Sequence, residues 1–314
     1  MVFWGLRMPE YRCLDNSFVG MGLGSLFQQA EFFNLHSAGQ GSYFEWAEAS
    51  RVVASIHFTD VGNGLWRSPA RGTFAGFAFQ SNLHIEDLFA FYDEVESSLR
   101  DQGAHNLEIL PAPMAHDQVA FSNQFYLLNT RGYRMTHCDL NHSLAVNSLS
   151  LPERMTYGNQ KRLNKCRREG LTAEQLPLSA LSIVYETLAS NRASKGLSMS
   201  MTLLQLRTMA DAFPDNMVLF GCRDGEALAA AALCLRLSSS VMYVFYWGDR
   251  PGYASLSPVV AVADAIYSYC QAAGLSLLDI GISTKDSEPN YGLIQFKRGL
   301  GFVESLKVRM SKSL

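Results

Sequence analysis

Two stretches of this chain run through the same order of elements and close on the same kind of turn. Working back from Gly301-Phe302 gives an amphipathic segment from Asn290, a strand Leu277 to Ile282, a glycine at 274, a helix from Ser257 and an aromatic strand Val241 to Trp247. Working back from Gly132-Tyr133 gives a segment Asp117 to Asn129, a strand Asn106 to Leu110, a glycine at 103, a helix from Ile85 and an aromatic strand Thr73 to Phe79. The glycine-to-glycine separations are 29 residues (103 to 132) and 27 residues (274 to 301). One supersecondary unit repeated at nearly one spacing predicts a tandem duplication. A length of 314 residues with 48% hydrophobic content is enough for two cores.

The Ser-rich, Pro-ended stretch Asn147 to Pro152 marks the expected boundary, dividing the chain into 1–149 and 150–314. Ahead of it, Arg51 to Thr59 and Met135 to Val146 read as strands, and Leu65 to Ser68 as the start of another. Behind it come helices over Glu153 to Glu169, Leu178 to Ser194 and Thr202 to Phe213. Strands Met217 to Arg223, Ala227 to Leu237 and Val241 to Trp247 follow, separated by the hairpin signals Asp224-Gly225 and Ser238 to Ser240. The expected class is mixed α/β (α+β), each half a mixed sheet with flanking helices.

Composition narrows the partners. No run of about 18 apolar residues is present to span a membrane. The opening Met1 to Arg12 carries Arg7, Pro9 and Glu10 where a signal peptide needs an apolar run, so a soluble cytoplasmic protein is expected. The six cysteines contain no C-x-x-C pair; they read as reduced thiols, with Cys222, Cys234 and Cys270 in apolar stretches. The net charge of −3 is divided unevenly. Residues 1–150 hold no lysine, eight Arg and fifteen acids, a balance of −7; the rest holds eighteen basic and fourteen acidic residues, a balance of +4. The acidic first half excludes bulk DNA binding and assigns any phosphate contact to the second half.

Helices, an antiparallel meander, then strand-helix-strand-helix-strand is the order of the GCN5-related N-acetyltransferase (GNAT) fold, which this sequence resembles. In that fold the last helix commonly reads Asn-x-x-Ala-x-x-Leu/Phe-Tyr-x-Lys-x-Gly-Phe. Asn290, Leu293, Phe296, Lys297, Leu300, Gly301 and Phe302 fall on matching positions, with lysine where GNAT enzymes usually place a tyrosine acid. A Phe-Lys pair ahead of Gly-x-Gly-Phe resembles the FemABX peptidyltransferases, tandem GNAT-like proteins that extend peptidoglycan cross-bridges. The basic segment Asn159 to Leu171, the Tyr246-Trp247-Gly248 junction followed by Ser257-Pro258, and Arg192 to Gly196 are also similar to that family. Between Leu178 and Phe213 no heptad-rich insert stands for the helical arm that some Fem proteins carry for aminoacyl-tRNA.

The resemblance implies acyl or aminoacyl transfer onto an amine of a cell-envelope precursor or a sugar. No tightly bound cofactor is implied; the donor would be acyl-CoA or aminoacyl-tRNA, and the other substrate a small, lipid-linked or nucleotide-linked molecule. Two alternatives stand beside it: a coenzyme A-dependent N-acetyltransferase acting on a small molecule, and a GNAT-like protein that only binds a glycan or partner.

Such chemistry needs a donor carbonyl held in a cleft, a deprotonated amine and donors aimed at the oxyanion. Aligning Gly301 with Gly132 sets Lys297 on Leu128 and Asn290 on Phe121, so the second copy is expected to hold the reacting groups. By the resemblance Lys297 neutralises a phosphate or the oxyanion; the plainer reading is an exposed lysine near a helix C-terminus. Arg154, Lys161, Lys165 and Arg168 share one helical face that suits a diphosphate, or is simply solvated. Arg162 is carried over from the family's Lys-Arg pattern as a substrate contact. Asp279 and Asp249 are candidate bases, or turn caps. Tyr246, Trp247, Asn290 and Tyr291 are expected at the cleft. Arg250, Gly252 and Ser257 sit where a coenzyme A enzyme holds pyrophosphate, with Pro258 opening the next helix.

Two further signals are discounted. His137, Cys138, Asp139 and His142 alternate across a strand and do not converge on a metal. Gly20 to Gly24 lacks the Gly-Lys-Ser/Thr of a phosphate loop and reads as a linker. The +4 second half is expected to hold the anionic part of a ligand through Arg162, Lys165 and Lys297, and the first half to supply a wall for a neutral or cationic part.

Overall fold

The computed structural model describes residues 10–14, 23–49, 51–285 and 287–314, so most of the Gly20 to Gly24 segment lies outside the described residues. The chain forms two compact units, Met1–Asp139 together with Leu306–Leu314, and Leu140–Ser305. The division falls inside a strand rather than at 149/150, and the end of the chain returns to the first unit. Strand pairing explains both.

In the first unit the elements are β1 (Glu10–Leu14), α1 (Ala30–His36), β2 (Gly41–Glu48), β3 (Arg51–Asp60), β4 (Leu65–Ser68), β5 (Ala78–Phe79), α2 (Ile85–Asp101), β6 (Asn106–Ile109), α3 (Gln118–Thr130) and the opening of β7 (Arg134–Ala145). The second unit continues with α4 (Leu151–Arg154), α5 (Tyr157–Arg168), β8 (Thr172–Leu176), α6 (Leu181–Ala193), α7 (Leu203–Ala212), β9 (Met217–Asp224), β10 (Ala227–Arg236), β11 (Val241–Asp249), α8 (Pro258–Ala272), β12 (Leu277–Ile282), β13 (Thr284–Lys285), β14 (Glu288–Pro289), α9 (Tyr291–Gly299) and the start of β15 (Val303–Ser313).

The first unit's strands run β1-β2-β3-β4-β6-β15. β6 pairs in parallel with β4, from Leu65 on Asn106 to Ser68 on Ile109, and antiparallel with the end of β15, from Met310 on Ile109 to Ser313 on Asn106. The expected strand Thr73 to Phe79 is therefore a correction. Ala78 and Phe79 form a two-residue strand against Ala54 and Ser55 of β3, and Ala75 makes an isolated bridge to Pro111. Gly72 and Gly76, at φ of 92° and 70°, break the preceding run, while Phe74 and Phe77 are buried. Leu88, Phe91, Tyr92, Val95 and Leu99 recur at three- and four-residue spacing along α2 and bury one stripe against Phe44, Ile56, Phe58, Leu107 and Ile109.

The second unit's strands run β7-β12-β11-β10-β9-β8, where β7 contributes its last residues. Ala145, Leu144 and Ser143 pair antiparallel with Leu277, Leu278 and Asp279 of β12. A reciprocal exchange results: the strand after α3 completes the second sheet, and the strand after α9 completes the first. β10 is buried from Leu228 to Leu235 without alternation because helices cover both faces; α6 and α8 both pack on it. The expected single helix Glu153 to Glu169 is two helices. Met155 and Thr156 are extended, at ψ of 149° and 152°, which separates α4 from α5 and takes Arg154 out of the basic stripe.

One ion pair ties the exchanged end of β15 to the first unit. Glu96 on α2 is buried and receives Lys312 Nζ at 2.5 Å, Arg100 at 2.5 Å and the Tyr92 hydroxyl. Lys312→Met leaves part of that carboxylate unsatisfied and should cost roughly 1–3 kcal/mol. Urea unfolding should show this loss, and Glu96→Gln combined with Lys312→Met should recover part of it.

Candidate active site

The second sheet opens along one seam. β11 and β12 pair in parallel only at Val241/Leu277, Met242/Leu278 and Tyr243/Asp279. Just past that point the β10 ladder jumps from Leu233/Tyr246 to Cys234/Val244, leaving Phe245 as a bulge. β12 departs as well: its register with β7 shifts between Asp279 and Ile282, and Gly281 takes a φ of 75°. A side chain at 281 would meet left-handed strain there. The two strands thus splay from Val244 onward, and β11 presents backbone to the gap.

Lys297 sets the shape of the gap. It lies on α9 and is 1% exposed, far from the exposed helix-end lysine of the plainer reading. Its Nζ donates to the carbonyls of Ile280, Gly281 and Ile282 at 2.9, 2.7 and 2.8 Å. Burial pulls its pKa down to about 7, opposed by the charge of Asp279. Three carbonyl acceptors require three N–H donors, which only the ammonium has, so the protonated form fits this geometry. Asp279 is fully buried, with Oδ2 accepting from Asn141 Nδ2 at 2.9 Å and Oδ1 from the Gly281 N–H at 2.6 Å. The pair holds the bend from both sides; a base open to substrate is not what the carboxylate is built into.

The other expected residues divide. Asn290 is the N-cap of α9, its side chain accepting from the Leu293 N–H at 3.0 Å, and Tyr291 is 74% exposed. Tyr246 is buried, its hydroxyl bonded to Ser200 and its ring under Arg192. Trp247 meets the ring of Phe296 on α9 at 6.0 Å between centroids. Asp249 ends β11 half-buried, and desolvation raises its pKa to about 6. Lys161 lies over the Tyr157 ring at 4.5 Å, and Lys165 Nζ donates to the Ser255 carbonyl at 3.1 Å.

Arg162, among the expected cations, lines a cavity. A pocket of about 610 Å³ lies between α5 and α9, bounded by Thr156, Gly158, Asn159 and Arg162 on one side and Gly292, Gln295, Phe296, Arg298 and Gly299 on the other. Asn159 orients Arg162 by accepting from Nη1 at 3.0 Å, and Glu304 holds Arg298. At Gly299 a Cβ would stand 2.7 Å from Asn159 Nδ2, so a side chain there would push aside the amide that orients Arg162. Sequence reasoning missed Arg298, Asn159, Gln295 and Asn141. Arg298 was findable: two adjacent cations on a helix point about 100° apart, so one buried forces the other toward a different face.

No family model and no curated protein matches this chain. Solved structures do. FemX superposes with a TM-score of 0.74 at 14% identity, covering 97% of both chains. L-PGS from Bacillus licheniformis gives a TM-score of 0.60 at 12% identity, covering 91% of this chain and 87% of its own. A tandem GNAT protein from the clavulanic acid biosynthesis pathway gives 0.54 at 10% identity, covering 98% of each. This chain has the tandem GNAT fold, and its resemblance to FemABX holds in the fold. Among the described residues no helix is long and apolar enough to cross a membrane.

Removing the Lys297 charge strands Asp279 and three carbonyls in the interior. Lys297→Met should destabilise the second unit by roughly 3–5 kcal/mol. Thermal or urea unfolding tests it, and a loss no larger than that of an exposed-lysine variant contradicts the burial. Loss of activity on Lys297→Ala would therefore not separate a chemical role from a structural one.

Proposed function

We propose that this chain transfers an acyl or aminoacyl group onto an amine of an anionic acceptor, a cell-envelope precursor or an amino sugar. The observation that carries the reading is the β11/β12 seam, which stops pairing at Tyr243/Asp279 and bulges at Phe245. In this proposal the donor carbonyl lies against β11, and backbone N–H groups past the bulge face the developing oxyanion. The amine nitrogen bonds to the carbonyl carbon, the bond to the leaving sulfur or oxygen breaks, the amine gives up a proton to water, and the leaving atom takes one from water. Lys297 acts as a fixed positive charge behind the end of β12, not as a contact to substrate. The likeness in fold to FemX supports the class, together with the FemABX resemblance of the sequence.

The α5/α9 pocket supplies the acceptor's anion site in this reading. Arg162 and Arg298 both line it, and guanidinium groups pair with phosphate or carboxylate through two parallel N–H donors. Of the expected trio Arg162, Lys165 and Lys297, Arg162 is among the residues lining this pocket, where Arg298, held by Glu304, joins it, while Lys297 is buried on backbone carbonyls.

Candidate acceptors, nucleotide-linked muropeptides and amino sugars, should be incubated with aminoacyl-tRNA and with acyl thioesters, and the products weighed by mass spectrometry. A mass gain of one acyl or aminoacyl group is the expected result. For an acceptor so found, Arg162→Ala and Arg298→Ala should each weaken binding by on the order of 1.5–3 kcal/mol, less at high salt. Unchanged affinity in both variants would remove the anion from this pocket.

A further inference from the structure

The end of β11 carries an acid where a coenzyme A enzyme of this fold would seat a diphosphate. After Asp249 the chain turns through residues 250–257 and enters α8 at Pro258. Helix starts hold diphosphates through unused N–H groups and the positive end of the helix dipole. Here those groups are spent. Asp249 Oδ1 accepts the Val259 N–H at 2.7 Å, and the Val260 N–H bonds the Ser257 carbonyl at 3.0 Å. The loop also closes on itself. Tyr253 N–H donates to the Arg250 carbonyl at 3.2 Å, Leu256 N–H to that of Tyr253 at 2.9 Å, and Ser257 N–H to those of Tyr253 and Ala254. Ser257 itself stands at a φ of 52°, and the Tyr253 hydroxyl anchors the loop to Asp224 at 2.9 Å. Lys165, the cation nearest in the basic stripe, is bonded to the loop's own Ser255 carbonyl. Of the pyrophosphate site expected at Arg250, Gly252 and Ser257, the Ser257 N–H is spent inside the loop, and a carboxylate stands on the first free N–H of the helix.

We propose that Asp249 is a specificity-determining residue: its carboxylate occupies the start of α8 and turns the chain away from donors that would place a diphosphate there, coenzyme A thioesters among them. Donors of the reading above would then reach the β11/β12 seam without a diphosphate on α8. The inference rests on that reading only for the word donor, because the exclusion is a matter of binding and needs no turnover. Two independent structural facts carry it, the carboxylate on the Val259 N–H and the inward-bonded loop. Desolvation of Asp249 agrees with a group held off solvent at this spot.

Binding of acetyl-CoA and of S-acetylpantetheine, which lacks the nucleotide and the diphosphate, should be measured by calorimetry on the wild-type chain and on Asp249→Asn and Asp249→Ser. Both variants keep an oxygen able to accept the Val259 N–H while removing the charge. Wild type should bind acetyl-CoA no tighter than S-acetylpantetheine. The variants should gain about tenfold or more in affinity for acetyl-CoA alone. Thermal midpoints confirm that the variants are folded. A wild-type preference for acetyl-CoA of about tenfold, or variants that gain nothing for it, overturns the proposal. Neither result touches the Arg162 and Arg298 test, so failure here and failure of the transferase reading are told apart.

Discussion

The ammonium of Lys297, set on the carbonyls of Ile280, Gly281 and Ile282, is the contact on which the second unit's site depends. A regular parallel strand would send successive carbonyls to opposite sides. β12 instead bends at Gly281, and three consecutive carbonyls converge on one point. That arrangement is repulsive without a cation at the focus. The cation in turn is tolerable in the interior because three acceptors and Asp279 surround it, as burial of an unpaired charge would be far more costly. The bend, the splay from β11 and the position of α9 are consequences of one another.

The same helix serves two ends. On its buried side Lys297 holds β12; on another, Gln295, Phe296 and Arg298 line the pocket facing α5. Glu304 joins the two regions, since it holds Arg298 and lies 3.6 Å from Nε2 of the buried His142, whose Nδ1 meets Ser283 at 3.1 Å. Burial and the charge of Lys297 lower His142 to about 4, so that ring is neutral and adds no second cation to the interior. A rigid α9 is what such a site needs, because groups that orient a substrate act only if they are held in place beforehand. Gly301, at a φ of 94° and with a would-be Cβ 2.9 Å from the Arg154 carbonyl, lets the chain leave α9 sharply and enter β15.

Much of this was legible in the sequence. Strand Leu277–Ile282, the start of α2 at Ile85 and the β9-β10-β11 meander follow from alternation and turn chemistry. The duplication was visible as element order, and structural likeness to tandem GNAT proteins bears out the fold. What failed has a common cause: properties set by tertiary partners. Thr73 to Phe79 has strand-like composition, but its aromatics pack inward and its glycines break the extension. Arg154 has helical spacing with Lys161, but the helix breaks between them. Lys297 was found by its motif, yet its burial could not be read, because nothing local to a lysine announces three carbonyls from a strand some fifteen residues upstream. Asp279 was likewise found as an acid on the strand bordering the cleft and Asp249 as one at a strand end, and their jobs as a bend lock and a helix cap depend on Gly281 and Val259. The exchange of β7 and β15 between units carries no sequence signal at all, since each strand reads the same whichever sheet completes it.

The central claim is that Lys297 is a buried ammonium whose three N–H donors are all bonded, with a pKa drawn down toward neutrality by burial. Nitrogen-detected NMR of the chain with lysine side chains labelled at Nζ tests it directly, using Lys297→Met to assign the signal. The account predicts one ammonium resonance at mildly acidic pH, below the lowered pKa of Lys297, whose protons exchange with water far more slowly than those of the surface lysines, and which the substitution removes. A chain whose lysines all exchange at the surface rate, or whose Lys297 resonance is that of a neutral amine well below neutral pH, would contradict it.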